Sequence, residues 1–222
     1  MDWPLLSSLS EDERRELLMT ARRRTFGRNE IVFHRDDPAD TMHLIVRGHF
    51  AVRITTPLGD TATLTLLSPG ESFGELALLS EGGRRTATVV ALEKAETRSL
   101  HQLDFAGLQR RHPHVLDVVA RALAARVDSL STQLVDALYV PAERRVLRRV
   151  AEVAALYRVA GGPEIAIPLT QEDIAGLAGT SRATVNRVLR ESEEARMVRL
   201  ERGRTIVLDL DALRRRSGLD RR

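Results

Sequence analysis

The sequence predicts an α+β chain in three parts: a small antiparallel barrel or sandwich, one long helix, and a helical tail closed by a β-hairpin. Three observations carry this reading. Between residues 30 and 101, short apolar runs are split by Gly, Pro and Asp at strand-and-turn spacing. From 112 to 138 there is no glycine, and the one proline, Pro113, sits in a first turn where proline is tolerated. Beyond 139, apolar residues recur at helix-packing spacing around breaks marked by glycine, and two short apolar runs follow. At 222 residues the chain is one large domain or two modest ones.

Residues 11–20 (EDERRELLMT) predict a short helix, with Ser10 as N-cap and acids in the first turn. Strands are expected at 31–33, at 42–46, along Phe50, Val52 and Ile54, along Leu64, Leu66 and Leu67, at 86–91 and at 97–100. Asp36-Asp37-Pro38, Gly48, Pro57-Leu58-Gly59-Asp60 and Ser68-Pro69-Gly70 punctuate them. In the long helix, Leu116, Val119, Leu123, Arg126, Leu130, Gln133 and Ala137 recur three and four residues apart, a heptad-like stripe. Val115, Val118, Ala122 and Leu134 form a second apolar face. One face is expected to cover the barrel and the other to meet the same helix of a second copy. A helix buried on both sides within one chain is the alternative; polar Arg126 and Gln133 in the stripe favour the dimer, as register-setting residues. Pro141 ends the helix, because proline disfavours helical geometry in the residue before it. The next helix carries Val146, Val150, Val153 and Tyr157 on one face and stops at Gly161-Gly162-Pro163. Short helices at 170–177 and 181–194 follow, then a hairpin of 198–200 and 205–208 turned at Gly203. Two domains are expected, 1–138 and 139–222.

Composition removes several function classes. Zero cysteine excludes disulfides, thiolate catalysis, zinc-thiolate sites and cysteine-ligated iron–sulfur clusters. No run of 18 apolar residues is present, and the acidic, polar first twelve residues lack the basic-then-apolar order of a signal peptide. A cytoplasmic protein without membrane contact is therefore expected. No nucleophile–base pair or nucleophile elbow is visible, so no catalytic residue is assigned. The six histidines, His34, His43, His49, His101, His112 and His114, lack an accompanying carboxylate cluster, so no metal site is expected. Residues 1–138 hold 17 Lys+Arg against 19 Asp+Glu, while 139–222 hold 17 against 12. A basic tail behind a slightly acidic body suits an anionic partner, nucleic acid first.

The tail segment QEDIAGLAGTSRATVNRV, 171–188, fits a helix-turn-helix. Thr170 can cap the first helix in a loose capping box with Asp173. Ala175 is small where the helices cross, Gly179 four later takes the turn, and Val185 follows six after that. Ser181 can cap the second helix, whose early residues would meet base edges in the major groove of double-stranded DNA. Those are Arg182, Ala183, Asn186 and Arg187: arginine suits guanine, asparagine suits adenine, and Ala183 suits a thymine methyl. Thr170, Gln171, Ser181 and Thr184 are placed for phosphates.

The segment SFGELALLSEGGRRTATVV, 72–90, reads as an anion cradle. Gly74 opens a short apolar helix whose backbone amides attract an anion. Arg85 can clamp phosphate oxygens, Thr86 can donate a hydroxyl, and Glu75 can accept from a ribose hydroxyl. Through Phe73-Gly74-Glu75-Leu76-Ala77-Leu78 and Arg85-Thr86-Ala87 the chain resembles the cyclic-AMP receptor protein family of bacterial regulators, within the superfamily shared with the fumarate–nitrate reductase regulator. The resemblance spans essentially the whole chain. It implies a jelly-roll β-barrel that binds a cyclic nucleotide, a dimerisation helix over about 112–138, and a winged helix-turn-helix. It further implies a homodimeric DNA-binding regulator, controlled by an effector with cyclic AMP first, needing no cofactor and working with RNA polymerase. By that resemblance Glu75 takes the ribose 2′-hydroxyl, Arg85 and Thr86 the cyclic phosphate, and Gly74 and Leu76 supply backbone contacts.

Two positions depart from the family pattern. Its Thr-Ser pair at the base reads Leu130-Ser131 here, so one hydroxyl is a leucine. Its recognition pattern Arg-Glu-Thr-Val-x-Arg reads Arg182-Ala183-Thr184-Val185-Asn186-Arg187, without the glutamate that accepts from a cytosine amine. A DNA-binding regulator whose nucleotide pocket has degenerated is the competing expectation.

Overall fold

The computed structural model describes residues 3–55, 61–79, 83–158, 162 and 164–218. The chain packs as two compact units, Met1–Ile54 with Thr65–Ser131, and Thr55–Leu64 with Thr132–Arg222.

The first unit opens with a 3₁₀ turn, Pro4–Ser8, and α1, Glu11–Thr20. The expected cap is present as a full capping box: Ser10 Oγ accepts from the Glu13 amide and Glu13 accepts from the Ser10 amide. Such a cap contributes about 1 kcal/mol. Strands follow as β1 (Arg22–Phe26), β2 (Ile31–Phe33), β3 (Thr41–Arg47), β4 (Phe50–Thr55), β5 (Thr61–Leu67) and β6 (Ser72–Phe73). A 3₁₀ turn, Glu75–Leu78, leads to β7 (Thr88–Ala91) and β8 (Ala95–His101). They form two four-stranded sheets, ordered β1-β8-β3-β6 and β2-β7-β4-β5, all antiparallel where the register is defined. The turn-punctuated apolar runs imply a small antiparallel barrel or sandwich with six of these strands, and the jelly-roll barrel is what the family resemblance implies; β1 and the short β6 complete the eight.

Aromatic rings fill the space between the sheets. Phe50 meets Phe26 edge-on at 5.8 Å and Phe73 at 5.1 Å, and Phe73 lies 5.9 Å from Phe33. The His43 imidazole stacks on Phe73 at 4.9 Å, and its Nδ1 shares a hydrogen bond with Thr97 Oγ1 at 3.0 Å. A second cluster joins Trp3, Leu6, Leu17, Met42, Leu100, Phe105 and Val118. The Trp3 indole donates to the Ile45 carbonyl at 3.1 Å, tying the N-terminal turn to β3.

Helices α2 (Gln102–Arg111) and α3 (Leu116–Tyr139) come next, separated by a 3₁₀ turn at Pro113–Val115. The long helix thus starts later than 112. His112, with φ −133° and ψ 82°, is barred from helical geometry by Pro113, the same restriction expected at Pro141. His112 and His114 both meet the Glu13 carboxylate, at 2.9 and 3.0 Å, so the two histidines fasten this junction to α1.

The second unit contains α4 (Ala142–Leu156), β9 (Ile165–Ile167), α5 (Gln171–Ala178), α6 (Arg182–Glu194), β10 (Val198–Glu201), β11 (Arg204–Val207) and α7 (Leu210–Ser217). Its core is Val146, Val150, Ala154, Ile174, Val185, Leu189 and Leu213. The expected hairpin is present, turned at Gly203 with φ 74°, and β9 adds a third strand in the order β10-β11-β9. Helices α2 and α7 and strands β1 and β9 were not expected from the sequence. The turn expected at 57–60 lies outside the described residues, as do 161 and 163 of the expected helix break.

Phe50 is fully buried at the centre of the aromatic cluster. Phe50→Ala should destabilise the first unit by about 3–5 kcal/mol. Urea unfolding followed by fluorescence of Trp3, the chain's one tryptophan, measures this.

Candidate ligand pocket and nucleic-acid interface

A cavity of about 570 Å³ opens in the first unit. The sheets contribute Phe33, Val52, Thr65, Leu67 and Phe73; the turn contributes Gly74, Glu75, Leu76 and Ala77; the approach to β7 contributes Arg84, Arg85 and Thr86. Helix α3 closes one wall with Arg121, Ala122, Ala124, Ala125, Arg126 and Ser129.

Gly74 caps the 3₁₀ turn in the left-handed region at φ 81°. A Cβ there would lie 2.8 Å from Arg85 Nη1 and 2.9 Å from the Thr41 carbonyl oxygen, so glycine is required twice over. Arg85 is only 6% exposed. Its backbone is pinned to the 36–37 turn: its amide donates to the Asp37 carbonyl and its carbonyl accepts from the Asp36 amide. Its guanidinium lies 4.0 Å over the Phe33 ring, a cation–π contact. Nη1 donates to the Thr41 carbonyl at 2.6 Å and Nη2 to Thr41 Oγ1 at 2.8 Å, with Asp40 at 3.7 Å. The buried Nε has no acceptor among the described residues. Burial pulls the Arg85 pKa below its ordinary value, against the carboxylates of Asp40, Asp37 and Glu75. Burial, and then the Arg85 charge, hold His43 to a pKa of about 3, so this ring is neutral beside the guanidinium.

The structure brings Gly74, Glu75, Leu76, Arg85 and Thr86 to one cavity. Glu75 is half-buried and Thr86 exposed. Leu130 and Ser131 fall outside the wall, which ends at Ser129; Leu130 is 44% exposed and Ser131 Oγ donates to the Val127 carbonyl at 2.9 Å. Sequence reasoning missed Arg121, Ala122, Ala125 and Ser129, and it placed Arg126 in the apolar stripe. Their spacing of three and four was a usable signal, but periodicity does not say which neighbour a face meets.

In the second unit, the helix-turn-helix is built as its residues imply. Thr170 and Asp173 form a reciprocal capping box, and Ser181 Oγ accepts from the Thr184 amide at 3.2 Å. Gly179 ends α5 in the left-handed region at φ 58°. Ala175 is buried at the crossing, with Ile174, Val185, Val188 and Leu189. A single guanidinium holds the frame from behind. Arg145 Nε donates to the Ala178 carbonyl at 2.8 Å, Nη2 to Gly179 at 2.9 Å, and Nη1 to Val140 at 2.8 Å. The last turns of α3 and α5 thereby share one cap. On the open face, Arg182, Ala183, Arg187 and Arg190 are exposed. Asn186 Nδ2 donates to Gln171 Oε1 at 3.1 Å, and Arg190 Nε donates to Asn186 Oδ1 at 3.1 Å. Arg187 bridges Glu143 of α4 at 2.6 Å and Glu191 at 3.0 Å. Among the described residues, no group of three His, Cys, Asp or Glu side chains could hold a metal ion, and no helix is long and apolar enough to cross a membrane.

Comparison with known proteins matches two segments of the chain to family models. Residues 23–112 match the cyclic nucleotide-binding domain model, and residues 144–216 match the Crp-like helix-turn-helix domain model. The chain is 35% identical over 200 residues to the cyclic AMP receptor protein of Thermus thermophilus, covering 90% of each chain. It is 27% identical over 194 residues to a CRP-like cAMP-activated global transcriptional regulator of Mycobacterium tuberculosis, covering 86% of each. The solved structure of the Thermus thermophilus catabolite activator protein is 33% identical, with a TM-score of 0.54, covering 97% of this chain and 98% of that one.

The His43 environment has a consequence for stability. Its folded pKa of about 3 lies below the ordinary 6.5, so below pH 6.5 the unfolded chain takes up a proton that the folded one refuses. Stability should therefore fall as pH drops from 6.5 toward 3, with a slope approaching about 1.4 kcal/mol per pH unit from this group. Urea unfolding from pH 7 to 5 should show a shallower slope for His43→Asn than for the parent.

Proposed function

The chain belongs to the family of transcription regulators that includes the cyclic-AMP receptor protein and the fumarate–nitrate reductase regulator, and from that membership we propose that the cavity of its first unit takes a cyclic nucleotide as effector, cyclic AMP first. As in its relatives, a cyclic nucleotide-binding domain precedes a DNA-binding helix-turn-helix. The observation that carries the reading is Arg85. A buried guanidinium with an unsatisfied Nε costs free energy, and an anion in the cavity supplies the missing acceptor. Glu75, the carboxylate for a ribose 2′-hydroxyl, lines the same cavity and has no hydrogen bond among the described residues. Thr86 would add a hydroxyl to the phosphate, with Gly74 and Leu76 supplying backbone amides. Leu130 and Ser131 are assigned to the base, reached from either copy of the chain.

The acting form is a homodimer through α3, whose Val127, Leu130, Leu134, Val135, Leu138 and Tyr139 are exposed apolar side chains. Domains 1–138 and 139–222 are the effector and DNA-binding halves. Two α6 helices would read half-sites about 34 Å apart on double-stranded DNA. Arg182, Ala183, Asn186 and Arg187 are assigned to bases; Thr170, Gln171, Ser181 and Thr184 are assigned to phosphates. The regulator acts with RNA polymerase in the cytoplasm. Nucleotide coupling of about 1–3 kcal/mol is enough for a five- to 150-fold change in DNA affinity.

Titration calorimetry with cyclic AMP and cyclic GMP tests this. The parent should bind at least one. Arg85→Ala and Glu75→Gln should each weaken it at least tenfold, since a charge-assisted bond contributes about 1.5–3 kcal/mol. No heat with either nucleotide, together with DNA affinity indifferent to both, would leave an effector-independent regulator instead. Sedimentation should give a dimer, and Leu134→Glu should shift it to monomer.

A further inference from the structure

The anion cradle is assembled from two pieces of chain. One is the Gly74 turn, which β6 delivers directly, and the other is Arg85, just before β7. Strand β3 is common to both. Its His43 and Leu44 pair with Phe73 and Ser72 of β6, and its other edge pairs with β8 from Thr41↔His101 onward. A strand laddered on both edges opens only with the core around it, so it serves as a fixed reference. Thr41 is the first residue of that strand.

Thr41 holds Arg85 twice. Its carbonyl accepts from Nη1 at 2.6 Å, and its Oγ1 accepts from Nη2 at 2.8 Å. The same carbonyl oxygen lies 2.9 Å from where a Gly74 Cβ would stand. Turn and guanidinium are thus gauged against one residue. Asp40 is the other polar neighbour, but its carboxylate is 61% exposed and 3.7 Å from Nη2, too far for a hydrogen bond. Among the described residues, Thr41 is the one side chain that accepts a hydrogen bond from this guanidinium. The main-chain bond would come with any residue at 41; the hydroxyl would not. An arginine carries five N–H donors, so two on Thr41 leave the rest for an anion. Resting on the reading of this cavity as a cyclic-nucleotide site, we propose that Thr41 is a positioning residue for the nucleotide. Its hydroxyl fixes the Arg85 guanidinium against the Gly74 turn, so that a phosphate meets both pieces already in place. Thr41 is not among the residues that line the cavity, and it acts through Arg85 alone. Holding the guanidinium in its binding geometry removes an ordering cost that the nucleotide would otherwise bear.

The test is titration calorimetry of the full-length chain with cyclic AMP and cyclic GMP. The variants are Thr41→Val, Thr41→Ser, Arg85→Ala and the double variant of Thr41→Val with Arg85→Ala; urea unfolding checks that each is folded. Valine keeps the branched shape of threonine and removes the hydroxyl, which leaves Nη2 short of an acceptor. Thr41→Val should weaken the nucleotide about five- to 30-fold. Thr41→Ser, which keeps the acceptor, should bind as the parent does. In the Arg85→Ala background, Thr41→Val should cost nothing further, because no guanidinium is left to hold. Where Thr41→Val does not fold, Thr41→Ala takes its place. Parent-like binding by Thr41→Val, an equal loss in Thr41→Ser, or the same loss with and without Arg85 overturns the role of Thr41 and leaves the nucleotide site standing. A parent that binds neither nucleotide overturns both.

Discussion

A buried positive charge organises the first unit. Arg85 is almost fully enclosed, and a guanidinium in that position demands acceptors from every side. Thr41 meets two of its nitrogens, Asp40 supplies a nearby negative charge, and Phe33 offers its ring face. Gly74 must lack a side chain because Arg85 occupies the space. His43 stays neutral because burial, and then the Arg85 charge, disfavour its protonated form. The barrel's aromatic packing, the left-handed turn and the cavity mouth thus answer one electrostatic requirement. What is left unanswered among the described residues is Nε, and Glu75, whose charge reaches the guanidinium, lines the same cavity as Arg85.

The parts of this arrangement visible in the sequence are those written in short-range chemistry. Gly74, Gly179 and Gly203 sit where positive φ is needed, and each marks a turn that the sequence already indicates. Ser10, Thr170 and Ser181 cap the helices they precede, because a cap is a contact within four residues. Gly74, Glu75, Arg85 and Thr86 were readable as an anion cradle for a similar reason: the residue types announce the chemistry. Strand β1 was unreadable. Its RRRTF carries three arginines and only Phe26 is buried, so nothing alternates; it is a strand because β8 pairs with it and Glu96 binds Arg23 at 2.6 Å. Helix α7, with three consecutive arginines, gives an equally poor apolar pattern, and it folds because Leu210 and Leu213 pack into the second unit's core.

The α3 wall shows a different limit. The sequence gives Arg126 a period but not a neighbour, and a heptad position and a pocket wall share the same spacing. Which one it occupies depends on how the helix is rotated against the barrel, a long-range outcome of Val115, Val118 and Val119 packing beneath Leu6 and Phe105. The open face of α6 has the same character. Arg187 and Arg190 are indistinguishable as letters, and only their partners separate them: Glu143 and Glu191 for the one, Asn186 for the other.

The cap at Arg145 reaches beyond mechanics. Each acceptor it uses, at Ala137, Val140, Ala178 and Gly179, is a main-chain oxygen that every amino acid carries. The frame of the helix-turn-helix is thereby insulated from the identity of the residues around it. The outward side chains of α6 take no part in that cap, so they can be exchanged without disturbing it, while Gly179 and the small Ala175 keep the two helices of the motif at their crossing.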